Sequence, residues 1–454
     1  MKEFGYILVY NPISNEGHLD SWHVLFIQML RAEGWKVIAL SMDSGALRKK
    51  LLAKGLELSE SLIVYPTAQS PITIRLQIRR VCDALRLKGD FLRYQVGSKS
   101  IYTSLMRPLV LSACAVMKAA TRLYRGLKKR KLRRSEDEQV SESVAHPSEF
   151  AQTANQVLVR YPDQICTVLN MYMDMYRIDA DAWKDFKFIE AVPWFGVCIT
   201  PSVNSLASYH RLDDFKGTFF LDEAVCAHYQ SLLPNKKFEY MPDITDTDLP
   251  ASQTPLANEV LKRAAGRRII FMGGSIGKQK NLVSWYELIR QADCSKWYFV
   301  QIGRINENNL TPLDQAVLAN ALAEPIENLT IYPDYLADER EFNQLISVSD
   351  IIFAVYRDFR RSSNMLSKAA YFEKPILVSD AHLMGERVRR YKIGIGVKED
   401  EVASIVAGLN RIEAIPISRQ NFEAYRQDFN IQNASQRLSS FIRAGLTDNP
   451  SRSA

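Results

Sequence analysis

At 454 residues the chain is too long for one ordinary hydrophobic core, which predicts two domains. Its 47% hydrophobic and 24% charged residues have the balance of a globular protein. Six scattered cysteines (Cys82, Cys114, Cys166, Cys198, Cys226 and Cys294) argue against a zinc site or disulfide framework and for a reducing compartment. The net charge of +7 is uneven: from Arg75 to Arg134 a dense run of Lys and Arg is opposed only by Asp83 and Asp90, so the remainder is net acidic.

The opening Met1-Lys2-Glu3 runs directly into a strand-like segment and reads unlike a signal peptide. Residues 6–9 form an apolar run that leads into the loop "NPISNEGHLD". Trp22, Leu25, Phe26, Met29 and Leu30 then fall on one helical face, Gly34 ends that helix, and "KVIAL" (36–40) is a second strand. Strand, loop, helix, Gly, strand is a βαβ unit, hence a parallel sheet, which "SLIVYP" (61–66) extends.

The basic segment mixes apolar and cationic residues at roughly helical spacing, as helices lying in a membrane interface do; ordinary surface helices with a solvated tail are the plainer alternative. Its most apolar stretch, "PLVLSACAVM" (108–117), is well short of the roughly 20 residues a span needs. A mobile loop is predicted at "SEDEQVSESVAHPSE" (135–149). Strand-like runs resume at "DQICTVLN", "WFGVCITP" and "GTFFLDEAVCAHYQ", and a Pro-rich linker is placed near 242–255.

A second α/β series begins at "RRIIFMGGSIGKQKN" (267–281) and continues through "WYFVQIG", "NLTIYPDYL", "DIIFAVY", "KPILVSD" and "IGIGV". The expected architecture is therefore two doubly wound, Rossmann-like α/β domains facing a cleft. The N-terminal domain covers 1–245 with a basic helical insertion at about 71–150, and the C-terminal domain covers 256–415. The terminal helices, 416–454, are expected to pack back on the first domain.

Two stretches of the second series suit an anion. After strand 269–272, Gly273 and Gly274 let backbone N–H groups approach a ligand, with Ser275, Lys278 and Lys280 beside a helix start; a tight turn with solvated lysines is the alternative. After strand 350–356, Ser362, Ser363 and Asn364 are N-cap types, preceded by Arg360 and Arg361 and followed by Lys368; a well-capped helix is the alternative.

The strings "GGSIGKQKN", "YPDYLADEREFNQLISVSDIIFAVYRD", "NMLSKAAYFEKPILVSD" and "GERVRRYKIGIGV", in that order, resemble the donor domain of glycosyltransferases with the GT-B fold. "NPISNEGHLDSWHVLFIQMLRAEGWKV" and "KFEYMPDITDTD" resemble matching stretches of their first domain, so the likeness spans nearly the whole chain apart from roughly 70–149. It implies transfer of a sugar from a nucleotide diphosphate sugar, with Gly17, Tyr335 and Glu386 joining the donor-binding residues named above. It also implies His18 as general base, or as a contact to the donor or a helix cap, with Asp174 in "NMYMDMY" the rival base. Where many retaining members carry paired glutamates, Arg360 and Lys368 stand; where they have a phosphate-binding Arg, Ser275 stands, while Lys280 matches their Lys. Trp183, Trp194, Tyr172 and Tyr176 are read as core, with stacking on sugar rings the other possibility.

No Asp-x-Asp stretch reads as a metal motif, so neither a divalent metal nor another cofactor is expected. The basic segment predicts an anionic membrane surface rather than nucleic acid as partner, with a lipid-linked or surface-polysaccharide acceptor at the cytoplasmic face of the membrane. Nucleotide-sugar epimerases share the two-domain shape and need no acceptor, and a non-catalytic partner subunit of the same fold would need no glutamate pair.

Overall fold

The computed structural model describes residues 5–13, 19–67, 146–176, 178–201, 206–324 and 326–447. These form two compact units: 5–67, 146–246 and 427–447 in the first, 247–426 in the second. The basic segment, Gly17 and His18 lie outside the described residues.

In the first unit the elements run β1 (Tyr6–Asn11), α1 (Leu19–Ala32), β2 (Lys36–Ser41), α2 (Ser44–Ala53), β3 (Leu62–Pro66), α3 (Pro147–Leu158), β4 (Ile165–Asn170), α4 (Ala180–Trp183), β5 (Trp194–Cys198), β6 (Phe215–Phe220), α5 (Glu223–Leu232) and β7 (Lys237–Tyr240). The sheet order is β3-β2-β1-β4-β5-β6-β7, every pair parallel, so the strand order reverses between β1 and β4. The strands are apolar on both faces because helices cover both. Helix α1 buries the predicted stripe of Trp22, Leu25, Phe26, Met29 and Leu30, and the Trp22 indole donates to the Ile244 carbonyl at 2.9 Å.

Trp183 and Trp194 are stacked in the core with ring centroids 5.9 Å apart, and Tyr172 and Tyr176 are buried as well. These four rings fill space between helix and sheet. Helix α3 revises part of the loop predicted at 135–149. His146 caps it by accepting from the Ser148 amide at 3.2 Å, Pro147 opens it and Glu149 lies in its first turn, so a polar-looking stretch is a helix start.

In the second unit the order is α6 (Pro255–Ala264), β8 (Arg268–Gly273), α7 (Leu282–Gln291), β9 (Trp297–Ile302), α8 (Pro312–Ala323), β10 (Leu329–Tyr332), α9 (Glu339–Ser347), β11 (Ile351–Ala354), α10 (Asn364–Tyr371), β12 (Ile376–Ser379), α11 (His382–Tyr391), β13 (Gly394–Val397), α12 (Val402–Ala414) and α13 (Arg419–Asp428). Its parallel sheet is ordered β10-β9-β8-β11-β12-β13, reversing between β8 and β11. Trp285 of α7 packs edge-on against Phe299 and tilts against Phe353, and each such fully buried ring contributes about 3 kcal/mol. The doubly wound α/β class expected from the sequence is the class observed, twice.

The last two helices divide between the units. Within the second, Tyr425 of α13 packs on Tyr391, with centroids 5.0 Å apart. Within the first, α14 (Ile431–Thr447) lies along α1: Ser435 Oγ donates to the Met29 carbonyl at 3.0 Å, and the Trp35 indole donates to Ser439 Oγ at 2.9 Å.

Candidate functional site

Strand order makes the carboxyl ends of β8 and β11 neighbours, the place where a doubly wound sheet leaves room for a ligand. β8 ends at Gly273, and Gly274 then adopts φ +100°, which L side chains resist. Its amide donates to the Ile302 carbonyl at 3.1 Å, and the neighbouring β9 end comes so close that a Cβ on Gly303 would lie 2.0 Å from the Gly274 oxygen. The chain runs on through exposed Ser275 and buried Ile276, whose amide donates to the Arg304 carbonyl at 2.9 Å, to a single 3-10 turn at Lys278–Lys280.

That turn folds the Lys280 side chain back over the strand ends. Its Nζ donates to the Gly273 carbonyl at 2.7 Å and to the Tyr356 hydroxyl at 2.6 Å, and sits 4.1 Å from the Tyr356 ring centroid. Tyr356 leaves the end of β11, so this contact bridges the switch point. Among the described residues no carboxylate pairs with Lys280; two of its three ammonium protons go to neutral oxygens. A half-buried cation without a counter-ion, beside a glycine turn and a helix start, attracts an anion.

Arg357 ties the same loops together. Its amide donates to the Gln279 carbonyl and its guanidinium to Asn281 Oδ1, both at 2.9 Å, and it stands 3.5 Å from the fully buried Asp314. Asn281 Nδ2 in turn donates to the Glu399 carbonyl at 2.7 Å. A cavity of about 460 Å³ opens over the ends of β11, β12 and β13, lined by Arg357, Asp380, Ala381, Lys398 and Glu399 among others. Neither Tyr356 nor Arg357 was singled out by the sequence, because their value lies in which turn they meet.

The other predicted residues of this unit spread out. Ser363 caps α10, accepting from the Met365 amide at 3.4 Å, and Asn364 is the first residue of that helix. Ser362 is buried and accepts from Arg387, an arginine only 3% exposed, at 2.6 Å. Lys368 is not at the surface of the turn: it is fully buried, paired with Glu339 at 2.7 Å and bonded to Asn343. Arg360 is 75% exposed and pairs with Asp358 at 3.2 Å, Lys278 and Glu386 are exposed, and Tyr335 lies under the Arg304 guanidinium at 5.1 Å.

In the first unit, β1 and β4 each end in a buried asparagine that turns the chain: Asn11 Oδ1 accepts from the Ile13 amide at 2.9 Å and Asn170 Oδ1 from the Tyr172 amide at 3.0 Å. Just beyond, Asp174 is exposed yet engaged, accepting from the Ile199 amide at 2.8 Å, from the Thr200 amide and from the Cys198 thiol. Burial pushes the Tyr172 phenol well up, and the negative charges of Asp20 and Asp174 push the same way. Asp20 is a carboxylate the sequence reading did not name.

Among the described residues no group of three His, Cys, Asp or Glu side chains has metal-holding geometry, and no helix is long and apolar enough to cross a membrane. No protein-family model and no curated protein matches the chain in sequence. Solved structures do match it in fold. A glycosyltransferase from Rickettsia africae ESF-5 aligns over 99% of this chain and 100% of its own, with 14% identity and a TM-score of 0.58. Sucrose-phosphate synthase from Thermosynechococcus elongatus aligns over 98% and 100%, with 11% identity and a TM-score of 0.61. Anabaena HepE, solved in complex with UDP and glucose, aligns over 97% and 100%, with 10% identity and a TM-score of 0.59. At such identities the likeness is one of fold: two Rossmann-like units of the GT-B type.

Proposed function

We propose that the protein is a glycosyltransferase that moves a sugar from a nucleotide diphosphate sugar to a hydroxyl group. The observation that carries this reading is the Lys280 ammonium, fixed at the β8/β11 switch point by neutral acceptors and lacking a carboxylate partner among the described residues. The GT-B fold supports it, as does the UDP in the HepE structure. In the reaction the acceptor oxygen bonds to the anomeric carbon as its proton passes to a base, and the bond from that carbon to the diphosphate oxygen breaks. Lys280 stabilises the charge that develops on the departing diphosphate. The Gly273-Gly274-Ser275 turn, Lys278, Tyr335, Ser362, Ser363, Asn364, Arg360 and Glu386 belong to the donor side of this proposal, and Gly17 is assigned to it by the sequence resemblance alone. Lys368 supports the α10 end from within rather than by contact.

The base is His18 or Asp174. Asp174 sits at the carboxyl end of β4, beside the first sheet's switch point. The basic run from Arg75 to Arg134 supports a finer reading, in which the acceptor is lipid-linked or a surface polysaccharide presented at the cytoplasmic face of an anionic membrane. The test is a melting-temperature screen against nucleotide sugars, since a ligand that binds only the folded state raises the apparent stability. One or more donors should raise the melting temperature, and hydrolysis or epimerisation without any acceptor would replace transfer with another activity of the same fold. Indifference to the whole panel removes the proposal.

A further inference from the structure

We propose that Tyr356 is a positioning residue for the donor diphosphate, acting through Lys280; this rests on the donor-site reading above. A lysine head on a four-carbon stem is ordinarily mobile, and its rotamers must be lost when it grips a ligand. Here that ordering is already done. The Tyr356 hydroxyl and the Gly273 carbonyl take two ammonium protons at 2.6 and 2.7 Å, and the ring face at 4.1 Å adds a cation–π contact. The third proton has no acceptor among the described residues and is left for an anion.

The tyrosine is itself held. It is 3% exposed, Phe359 meets its ring edge-on with centroids 5.1 Å apart, its amide donates to the Ala354 carbonyl at 2.9 Å, and its carbonyl accepts from Ser379. Strand β11 therefore supplies a fixed platform on which the cation from the β8 turn rests. Lys278, two residues earlier in the same turn, is exposed instead. The assignment makes Tyr356 responsible for where the Lys280 charge sits, with no direct contact to the ligand.

The experiment is a double-mutant cycle read by titration calorimetry with UDP as the probe. Tyr356→Phe keeps the ring and removes the hydroxyl; Lys280→Met removes the charge. Tyr356→Phe should weaken UDP binding by roughly three- to tenfold, the cost of re-ordering one long side chain. The melting temperature without ligand should stay near that of the wild type. In the Lys280→Met background the same tyrosine substitution should have no further effect. Unchanged binding by Tyr356→Phe, or an equal loss with and without Lys280, overturns the assignment. Unchanged binding by Lys280→Met alone overturns the donor-site reading itself.

Discussion

Lys368 and Glu339 form a buried ion pair, 2.7 Å apart, that joins α10 to α9, with the lysine wholly shielded from solvent and Glu339 nearly so. Asn343, one helical turn from Glu339, accepts from the same ammonium. The pair braces the helix that Ser363 caps.

Breaking this pair from one side leaves a charge buried without a partner. Lys368→Met or Glu339→Gln should each destabilise the second unit by about 3–5 kcal/mol, whereas Lys368→Met combined with Glu339→Leu should recover most of the loss. Urea unfolding of the three variants checks this. A fully stable Lys368→Met protein that has lost UDP binding would assign Lys368 to the ligand instead.

The glycine pair at the strand ends gives a second expectation. Gly303 has φ +133°, and any Cβ there would press on the Gly274 carbonyl; Gly266 has φ +84° with open space around it. Gly266→Ala should cost about 1–2 kcal/mol, from backbone strain alone. Gly303→Ala should cost more and should also weaken UDP binding, because the clash displaces the turn that carries Lys280. Paired melting curves and titrations distinguish the two effects.

Two buried imidazoles set an acid limit for the first unit. Burial lowers His23 to about 3 and His210 to about 4, both from an unperturbed 6.5. Both are neutral in the folded state, so the stability tied to them is fully present above pH 6.5. It is lost as pH falls, because the unfolded chain takes up protons that the folded chain refuses. Each contributes a slope of at most about 1.4 kcal/mol per pH unit, ending near pH 3 for His23 and near pH 4 for His210. Urea midpoints at pH 7.5 and 5.5 should fall less steeply for His23→Gln than for the wild type.

The basic segment is tested without reference to its structure. Vesicles containing an anionic lipid should carry the wild-type protein upward in a density gradient and leave behind a variant with the Lys and Arg residues from Lys128 to Arg134 neutralised. Each cation near such a surface contributes about 1 kcal/mol, so the loss should be large and salt-sensitive. Equal flotation of both proteins would separate this segment from any membrane role.

Much of the fold was legible because its strands are apolar on both faces and therefore read as continuous runs, while α1 repeats apolar residues at helical spacing, with Val24 and Ile27 buried beside the predicted stripe. The elements that escaped have physical reasons. Strand β7, "KFEY", lies at the edge of its sheet and is only partly buried, so it lacks an apolar run. The start of α3 is polar because its first residues are a cap and a proline rather than a core stripe.

At the site, glycines and lysines marked the β8 turn, yet nothing local revealed Tyr356, since Lys280 and Tyr356 are 76 positions apart and only the reversal of strand order brings them together. The same holds for Lys368. Its place one turn into a helix suggested a cation for the anion site, and Glu339 on another helix makes it an internal one.

The most direct measurement is UDP binding to the wild type and to Lys280→Ala by calorimetry under identical salt. Loss of a charged hydrogen-bond donor should cost about 1.5–3 kcal/mol, a roughly 10- to 150-fold weaker affinity, with an unchanged melting temperature in the absence of ligand. Wild-type protein that binds no nucleotide diphosphate, or a variant that binds it equally well, would contradict the account.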